Sequence, residues 1–133
     1  MTPCILIPCY NHAGPLAAVL EAIPWNAEGL IAAIAQQHDN GEVLMLAWMN
    51  RTALEETLAS GQVCYWSRSR QQLWRKGQTS GHRQRLIEAR LDCDGDAVLL
   101  LVEQQGPACH TGRPNCFYNA IRDAQVSVIS VPQ

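Results

Sequence analysis

The sequence lacks three features: a large net charge, a long apolar run and more than one lysine. Ten cationic and twelve acidic side chains give a net charge of −2, which argues against disorder driven by self-repulsion and against a general polyanion binder. No apolar run approaches the ~20 residues of a membrane-spanning helix, and no cationic region precedes the apolar run at the N-terminus. We therefore expect a soluble, cytoplasmic protein that binds neither membranes nor nucleic acid.

The composition is that of one folded domain whose positive charge is concentrated in one stretch. With 133 residues, of which 47% are apolar and 17% charged, the chain is long enough to bury a core but short for two full domains. Nine of the ten cations are arginines, and seven of the ten lie between residues 68 and 90, where Glu88 is the only acid. This stretch is suited to binding phosphate or carboxylate groups.

The absence of a signal peptide predicts that the six cysteines are reduced, so metal binding becomes the leading role for some of them. Three of them lie beside a turn or in a loop rich in Gly and Pro, where burial in a core does not explain them: Cys93, Cys109 and Cys116. Thiolates suit zinc, and three protein ligands with a vacant fourth position are typical of a catalytic zinc that holds water. The other three are explained at least as well as small buried side chains: Cys4, Cys9 and Cys64.

Three aspartates surround Cys93 at a spacing of two residues: Asp92, Asp94 and Asp96. An extended backbone would place these carboxylates on one face, with Cys93 on the other. Carboxylate oxygens favour a hard cation such as Mg²⁺ or Ca²⁺. A solvated turn without any metal remains the alternative for the three aspartates.

Two further segments mix arginines, hydroxyl groups and glycines, which together present hydrogen-bond donors to an anion: residues 65–70 and 77–82. An exposed hairpin with solvated arginines, or a surface on which aromatic side chains stack on nucleic-acid bases, explains the same pattern. Among the histidines, His110 follows Cys109 directly and is the best candidate for a proton carrier. His82 is a weaker candidate, and His12 and His38 lie in loops without chemistry around them.

Apolar periodicity predicts an α+β fold that is mostly antiparallel strand. The clearest helix covers residues 51–60, with Asn50 as its N-cap and Gly61 at its end. An Asn-Gly turn predicts that the apolar runs before and after it form a hairpin. Residues 83–92 alternate as a strand with residues 83, 85, 87, 89 and 91 on one side. The remaining expected elements are a strand at 4–7, a helix at 15–23, and strands at 63–67, 73–75, 97–103, 116–121 and 126–131.

Taken together, six ordered segments resemble the phosphoribosyl-AMP cyclohydrolase family: residues 41–50, 65–70, 76–82, 92–96, 109–112 and 116–118. The resemblance extends from about residue 25 to residue 121. It implies a curved antiparallel sheet in an intertwined homodimer, and hydrolysis of the N1–C6 bond in the adenine ring of 1-(5-phosphoribosyl)-AMP, a step of histidine biosynthesis. Zinc with an open position supplies hydroxide at neutral pH, which agrees with attack at adenine C6.

The resemblance also implies the site residues. Zinc would be bound by Cys93, Cys109 and Cys116, in a site that draws ligands from both subunits, and magnesium by Asp92, Asp94 and Asp96. The substrate is a nucleotide with two phosphates, and the residues expected to bind it are Trp66, Ser67, Arg68, Arg70, Thr79, Ser80 and Gly81. His110 and His82 are the expected catalytic residues.

Two parts of the chain depart from the family pattern. Position 78 is Gln where the family more often has Glu, so a role that needs charge is in doubt there. Residues 5–12 instead resemble the opening strand of a family-2 glycosyltransferase, but such a site needs a whole domain of over roughly 100 residues. We therefore expect residues 1–23 to be an extension without a catalytic role, removable at least to residue 20, and residues 24–133 to be the cyclohydrolase domain.

Two other functions remain compatible with the residues alone. A nucleic-acid-binding module would use the arginine-rich stretch and its aromatic side chains, and its affinity would depend on salt. A domain with a structural zinc would have a fourth protein ligand, would unfold on chelation and would catalyse nothing.

Overall fold

The structure, a computed structural model, describes residues 13–133. The strand expected at residues 4–7, the glycosyltransferase-like segment, Cys4, Cys9 and His12 lie outside the described residues. Within them the chain is α+β, as the sequence predicts. The elements in chain order are α1 (Ala13–Ala22), β1 (Ile31–Gln37), β2 (Val43–Met49), α2 (Arg51–Ser60), β3 (Cys64–Ser67), β4 (Gln72–Arg75), β5 (Gln84–Leu91), β6 (Ala97–Gln104), β7 (Asn119–Arg122) and β8 (Gln125–Val128).

Six strands form one curled sheet in the order β4-β3-β2-β1-β6-β5. Its neighbouring strands are antiparallel, except that β1 and β6 are parallel. The sheet curls because the beginning of β5 returns to the beginning of β3. There the Val63 amide donates to the Gln84 carbonyl (3.0 Å), and the Leu86 amide donates to the Gly61 carbonyl (2.7 Å). The predicted mostly antiparallel, curved sheet is confirmed.

Local signals placed α2 and the β1–β2 hairpin correctly. The Asn50 side chain accepts a hydrogen bond from the Ala53 amide (2.8 Å), and Gly61 ends α2 in the left-handed conformation. Buried in the helix, Thr57 accepts a hydrogen bond from the Cys64 amide (2.9 Å) and donates to the Ala53 carbonyl (2.8 Å). This hydroxyl therefore connects α2 directly to the start of β3.

Helix α1 contributes to the same core as the sheet. Leu20 and Ile23 are buried together with Met49, Leu54 and Leu100. The burial of Leu20 argues against the expectation that residues 1–20 can be removed without loss of the fold. The boundary between an extension and a cyclohydrolase domain at residue 23 stays a prediction.

The prediction that residues 83, 85, 87, 89 and 91 share one side of β5 is wrong in the first half of the strand. Gln84 is fully buried and Leu86 is half-buried, whereas Arg85 and Ile87 are exposed. The pairing of β5 with β6 shifts register between Leu86 and Glu88, so an extra residue in β5 reverses the alternation. Sequence alternation did not reveal this bulge because both halves of the strand contain apolar residues.

The last two strands, β7 and β8, form a separate antiparallel hairpin. Between residues 13 and 133, no helix combines the length and the apolar character that crossing a membrane requires.

Candidate active site

A cavity of about 500 Å³ lies between β4, the loop that follows it and the loop around Cys109. It brings together six of the residues expected from the sequence: Arg70, Thr79, Ser80, His82, Cys109 and His110. Three further lining residues had no expected role: Lys76 and Gln78, which lie in a segment that carries the resemblance, and Trp74, which lies outside those segments. Gln78, where the sequence departs from the resemblance, therefore lies at the cavity wall.

The loop of residues 77–82 is folded back on itself. The Gly81 amide donates to the Gly77 carbonyl (2.8 Å), and the His82 amide donates to the Ser80 hydroxyl (3.1 Å). Gly77 has φ +79° and is buried, and a Cβ added there would lie 2.5 Å from the backbone of residues 82 and 83. Only glycine allows this approach, which fixes where His82 leaves the loop.

The two candidate histidines lie on different walls of the cavity. His82 is half-buried, and its ring packs on Gly106, where an added Cβ would lie 2.6 Å from the ring carbon Cδ2. The His82 carbonyl accepts a hydrogen bond from the Gln104 side chain (3.3 Å). His110 is exposed and follows the buried Cys109. His82 is thus held in place, whereas His110 has an open path to a molecule in the cavity.

Cys109 and Cys116 lie close enough for each to shift the pKa of the other. Burial alone would raise the pKa of Cys109. Hydrogen bonds from Thr111 and Cys116, together with the charge of Arg113, outweigh the effect of burial and lower the pKa. The Thr111 hydroxyl donates to the Cys109 sulfur at 3.1 Å. Desolvation of its thiol and the neighbouring Cys109 raise the pKa of Cys116 to about 11. Two adjacent thiols are a donor set that fits a soft metal ion such as zinc.

The loop that carries these thiols is anchored at both ends. The Ala108 and Cys109 amides donate to the carbonyls of Pro114 (3.2 Å) and Arg113 (3.1 Å). The Cys116 amide donates to the Leu44 carbonyl of β2 at 2.8 Å. The sequence marked this loop by its Gly and Pro content, but only the structure shows that it is tied to β2.

Cys93 does not join the other two thiols within the described part of one chain. Its sulfur instead lies with the carboxylates of Asp92 and Asp94, all three ligand atoms being within 4.8 Å of one another. The expectation of an extended backbone with Cys93 on the opposite face is wrong, because residues 93–96 form a turn. An oxygen of Asp92 accepts hydrogen bonds from the amides of Asp96 (3.0 Å) and Ala97 (3.3 Å), and this closes the turn.

The side chains of Asp92 and Asp96 are close enough to interact. A hydrogen bond with Asp92, which requires a proton between the two carboxyl groups, raises the pKa of Asp96, and the charge of Asp92 adds to the effect. For Asp92, slight desolvation is outweighed by the bonds from Asp96 and from backbone amides, so its pKa is lowered. All three carboxylates are exposed, so the turn is open to a hydrated cation.

Four of the seven expected substrate-binding residues do not line the main cavity. Trp66 and Arg68 border a second cavity of about 230 Å³, with Glu28, Asn50 and Gln71. The Arg68 guanidinium lies over the ring of Trp48, 4.9 Å from its centre. The Ser67 hydroxyl accepts a hydrogen bond from the Arg70 amide (3.2 Å) and so shapes the β3–β4 turn. Gly81 lies in the loop of residues 77–82 but does not line the cavity.

The fold and the main cavity define a small α+β protein with a candidate active site for an anionic substrate. A family model described as phosphoribosyl-AMP cyclohydrolase matches residues 45–118. The chain is 85% identical over 117 residues to phosphoribosyl-AMP cyclohydrolase 2 of Pseudomonas fluorescens, covering 88% of this chain and 80% of that protein. It is 67% identical over 118 residues to the phosphoribosyl-AMP cyclohydrolase of Alkalilimnicola ehrlichii, covering 89% and 83%. The chain belongs to the phosphoribosyl-AMP cyclohydrolase family, hydrolases of histidine biosynthesis.

Proposed function

We propose that the protein hydrolyses the N1–C6 bond of the adenine ring in 1-(5-phosphoribosyl)-AMP. The observation that supports this most strongly is the shared cavity: Cys109, the exposed His110 and a loop of hydrogen-bond donors border the same space in a chain of this family. Ring opening by water requires a nucleophile, a group that moves protons and donors for two phosphates. The cavity contains a candidate for each requirement.

We assign Cys109 and Cys116 of one chain, together with Cys93 of a second copy, as ligands of zinc. The two thiols of one chain are adjacent, while Cys93 lies at the β5–β6 turn with different neighbours, so a complete set needs a second subunit. When bound by three protein ligands, zinc lowers the pKa of a water molecule at its open position and supplies the nucleophile at neutral pH. A site made of thiolates also requires reduced cysteines, as in the cytoplasm.

Asp92, Asp94 and Asp96 are assigned to magnesium. Their carboxylates share one exposed turn, and hard oxygen ligands match this ion. The raised pKa of Asp96, which its interaction with Asp92 causes, indicates that these two side chains lie near each other. A hydrated cation at this turn would attract a phosphate of the substrate toward Cys93.

The two phosphates of the substrate are assigned to donors in the two cavities. Arg70, Thr79 and Ser80 line the main cavity, and Trp66 and Arg68 border the second. The turn between β3 and β4 therefore presents an arginine side chain to each of the two cavities. Arginine suits this role because its planar group donates two parallel hydrogen bonds to a phosphate.

His110 is assigned the proton transfer, because it lies in the cavity beside Cys109 and is free to reach the departing N1. We expect His110→Ala to lower kcat by ~10²- to 10⁴-fold, the usual contribution of general acid–base catalysis, while zinc stays bound. Steady-state kinetics and zinc content measured on the same sample check this. If kcat barely changes, the assignment fails and His82, on the opposite wall, becomes the candidate.

The whole proposal is tested by following the ultraviolet absorbance change of ring opening, with zinc content measured by mass spectrometry. We expect about one zinc per chain, loss of turnover after chelation and recovery on adding zinc back. Cys109→Ser should lose both metal and turnover. Cys64→Ala is the matched control, because Cys64 is buried in the core and should be dispensable for zinc. Full zinc occupancy in Cys109→Ser would contradict the ligand assignment.

A further inference from the structure

Lys76 is the only lysine of the chain, and it stands between the two loops of the candidate active site. Its backbone amide donates to the Val63 carbonyl (3.1 Å), which holds it at the start of the loop of residues 77–82. Its side chain reaches across to the other loop, where the ammonium donates to the Ala108 carbonyl at 2.6 Å. The stem also places the ammonium 5.6 Å from the ring centre of Trp74.

The charge of Lys76 faces the thiol pair. The ammonium is half-buried, and its desolvation lowers the pKa of Lys76, while interaction with Cys116 and Cys109 opposes that effect. A partly desolvated ammonium is stable only where acceptors or negative charge compensate for lost water. Here the compensation comes from the Ala108 carbonyl, which accepts from the ammonium at 2.6 Å.

The Ala108 carbonyl belongs to the peptide that leads directly into Cys109. The loop is also tied at the Gly112 carbonyl, which accepts from the Gln133 amide (2.8 Å), and at the Cys116 amide, which donates to the Leu44 carbonyl (2.8 Å). The Lys76 bond instead acts at the Ala108–Cys109 peptide itself, so it helps to set where the Cys109 sulfur lies relative to the rest of the cavity. Groups that orient metal ligands without touching the metal are worth ~10- to 100-fold in metal affinity.

We propose that Lys76 is a positioning residue for the metal ligands: it fixes the Ala108–Cys109 peptide and brings a positive charge to the loop that carries the Cys109 thiol. The inference rests on the zinc site proposed above. Three thiolates around one zinc carry a net negative charge, which an adjacent ammonium stabilises. Lys76 is thus distinguished from Arg70 of the same cavity, which is assigned to a phosphate.

The test compares Lys76→Met, which keeps the length of the stem, with Lys76→Arg, which keeps the charge, and with Arg70→Met as the matched control from the same cavity. Zinc release to a coloured chelator is timed for each, and the stability of each zinc-free protein is measured by urea unfolding. We expect Lys76→Met to weaken zinc retention ~10- to 100-fold. Lys76→Arg should recover part of the loss, and Arg70→Met should retain zinc like the wild type.

The outcomes separate the inference from the proposal on which it rests. Wild-type protein without zinc would overturn the metal site itself. Zinc held by Lys76→Met as tightly as by the wild type, with a raised KM, would overturn the positioning role in favour of phosphate binding. If Lys76→Met lowers the stability of the zinc-free protein as much as it lowers zinc retention, Lys76 has only a structural role. If Lys76→Met does not fold, Lys76→Gln provides the same comparison, because its amide still donates a hydrogen bond but carries no charge.

Discussion

At the scale of single residues, the loop of residues 77–82 depends on one glycine for space and on another only for conformation. Gly77 and Gly81 both have positive φ, at +79° and +83°. An added Cβ at Gly77 would lie 2.5 Å from backbone atoms of residues 82 and 83, whereas nothing lies within 4 Å of one at Gly81. An alanine at either position would therefore have an unfavourable left-handed backbone, but only an alanine at position 77 would also clash with neighbouring backbone atoms.

We expect Gly77→Ala to destabilise the protein more than Gly81→Ala does, by ~1–3 kcal/mol, the usual cost of overpacking. Urea unfolding of both variants measures the difference, and Gly81→Ala is the control because it carries the same conformational strain. Equal losses of stability in the two variants would show that the backbone at His82 moves aside without cost.

Residue-scale signals in the sequence were reliable where the physics is local. Asn50 and Gly61 end α2 as predicted, because a cap depends on a side chain and its nearest amides. Lys76 had no such signal, since its partner Ala108 is 32 residues away. The extra residue of β5 was likewise hidden, because the bulge depends on how β5 pairs with β6.

At the scale of elements, a buried polar chain joins three strands behind the candidate active site. The Tyr65 hydroxyl of β3 donates to the Gln84 side chain of β5 (2.7 Å), which donates to the Gln104 side chain of β6 (2.9 Å). Gln104 in turn donates to the His82 carbonyl at 3.3 Å. Tyr65 and Gln84 are fully buried, so each needs the other as a hydrogen-bond partner.

We expect Gln84→Leu to destabilise the protein by ~1–3 kcal/mol, because it leaves the Tyr65 hydroxyl buried without an acceptor. Adding Tyr65→Phe to that variant should cost little or restore stability, although Tyr65→Phe alone destabilises the wild type. A double-mutant cycle by urea unfolding measures this coupling. Gln72→Leu, at an exposed glutamine of β4, serves as the control and should change stability little. Additive effects of the two buried substitutions would contradict the coupled chain.

The elements themselves were largely predictable, and the site was predictable in part. Periodicity and turn residues located the strands because each strand of the curled sheet buries one face. The sequence also pointed to six residues that line the main cavity. It did not show that Trp66 and Arg68 border a different cavity, or that Cys93 lies apart from Cys109 and Cys116, because both facts depend on how the sheet curls.

At the scale of the whole molecule, the C-terminal hairpin carries an apolar face that one chain leaves uncovered. Ile121 pairs with Val126 and Asn119 with Val128, so three apolar side chains share one face of the β7–β8 hairpin. Ile121 is 81% exposed, and Val126 and Val128 are 68% and 60% exposed. Exposed apolar groups of this size are typical of a protein interface. The hairpin therefore supports the proposed homodimer, in which it would cover a second copy.

The division of the proposed zinc ligands between two copies has a measurable consequence. Consider a mixed dimer of one Cys93→Ser chain and one Cys109→Ser chain. One of its sites contains both substitutions. The other site is intact, because it takes Cys109 and Cys116 from the Cys93→Ser chain and Cys93 from the Cys109→Ser chain. In an equal mixture about half of the dimers are mixed, and each would have one working site, so about one quarter of the wild-type activity should return.

The matched control mixes Cys109→Ser with Cys116→Ser. Because these two cysteines lie together in one chain, both sites of that mixed dimer remain damaged, and no activity should return. Each variant is inactive alone in either arrangement, so the mixtures alone distinguish the models. If all three ligands came from a single chain, every chain in both mixtures would contain a lesion, and Cys93→Ser with Cys109→Ser would stay inactive too. Activity and zinc content that return together only in the first mixture would place the site between two subunits.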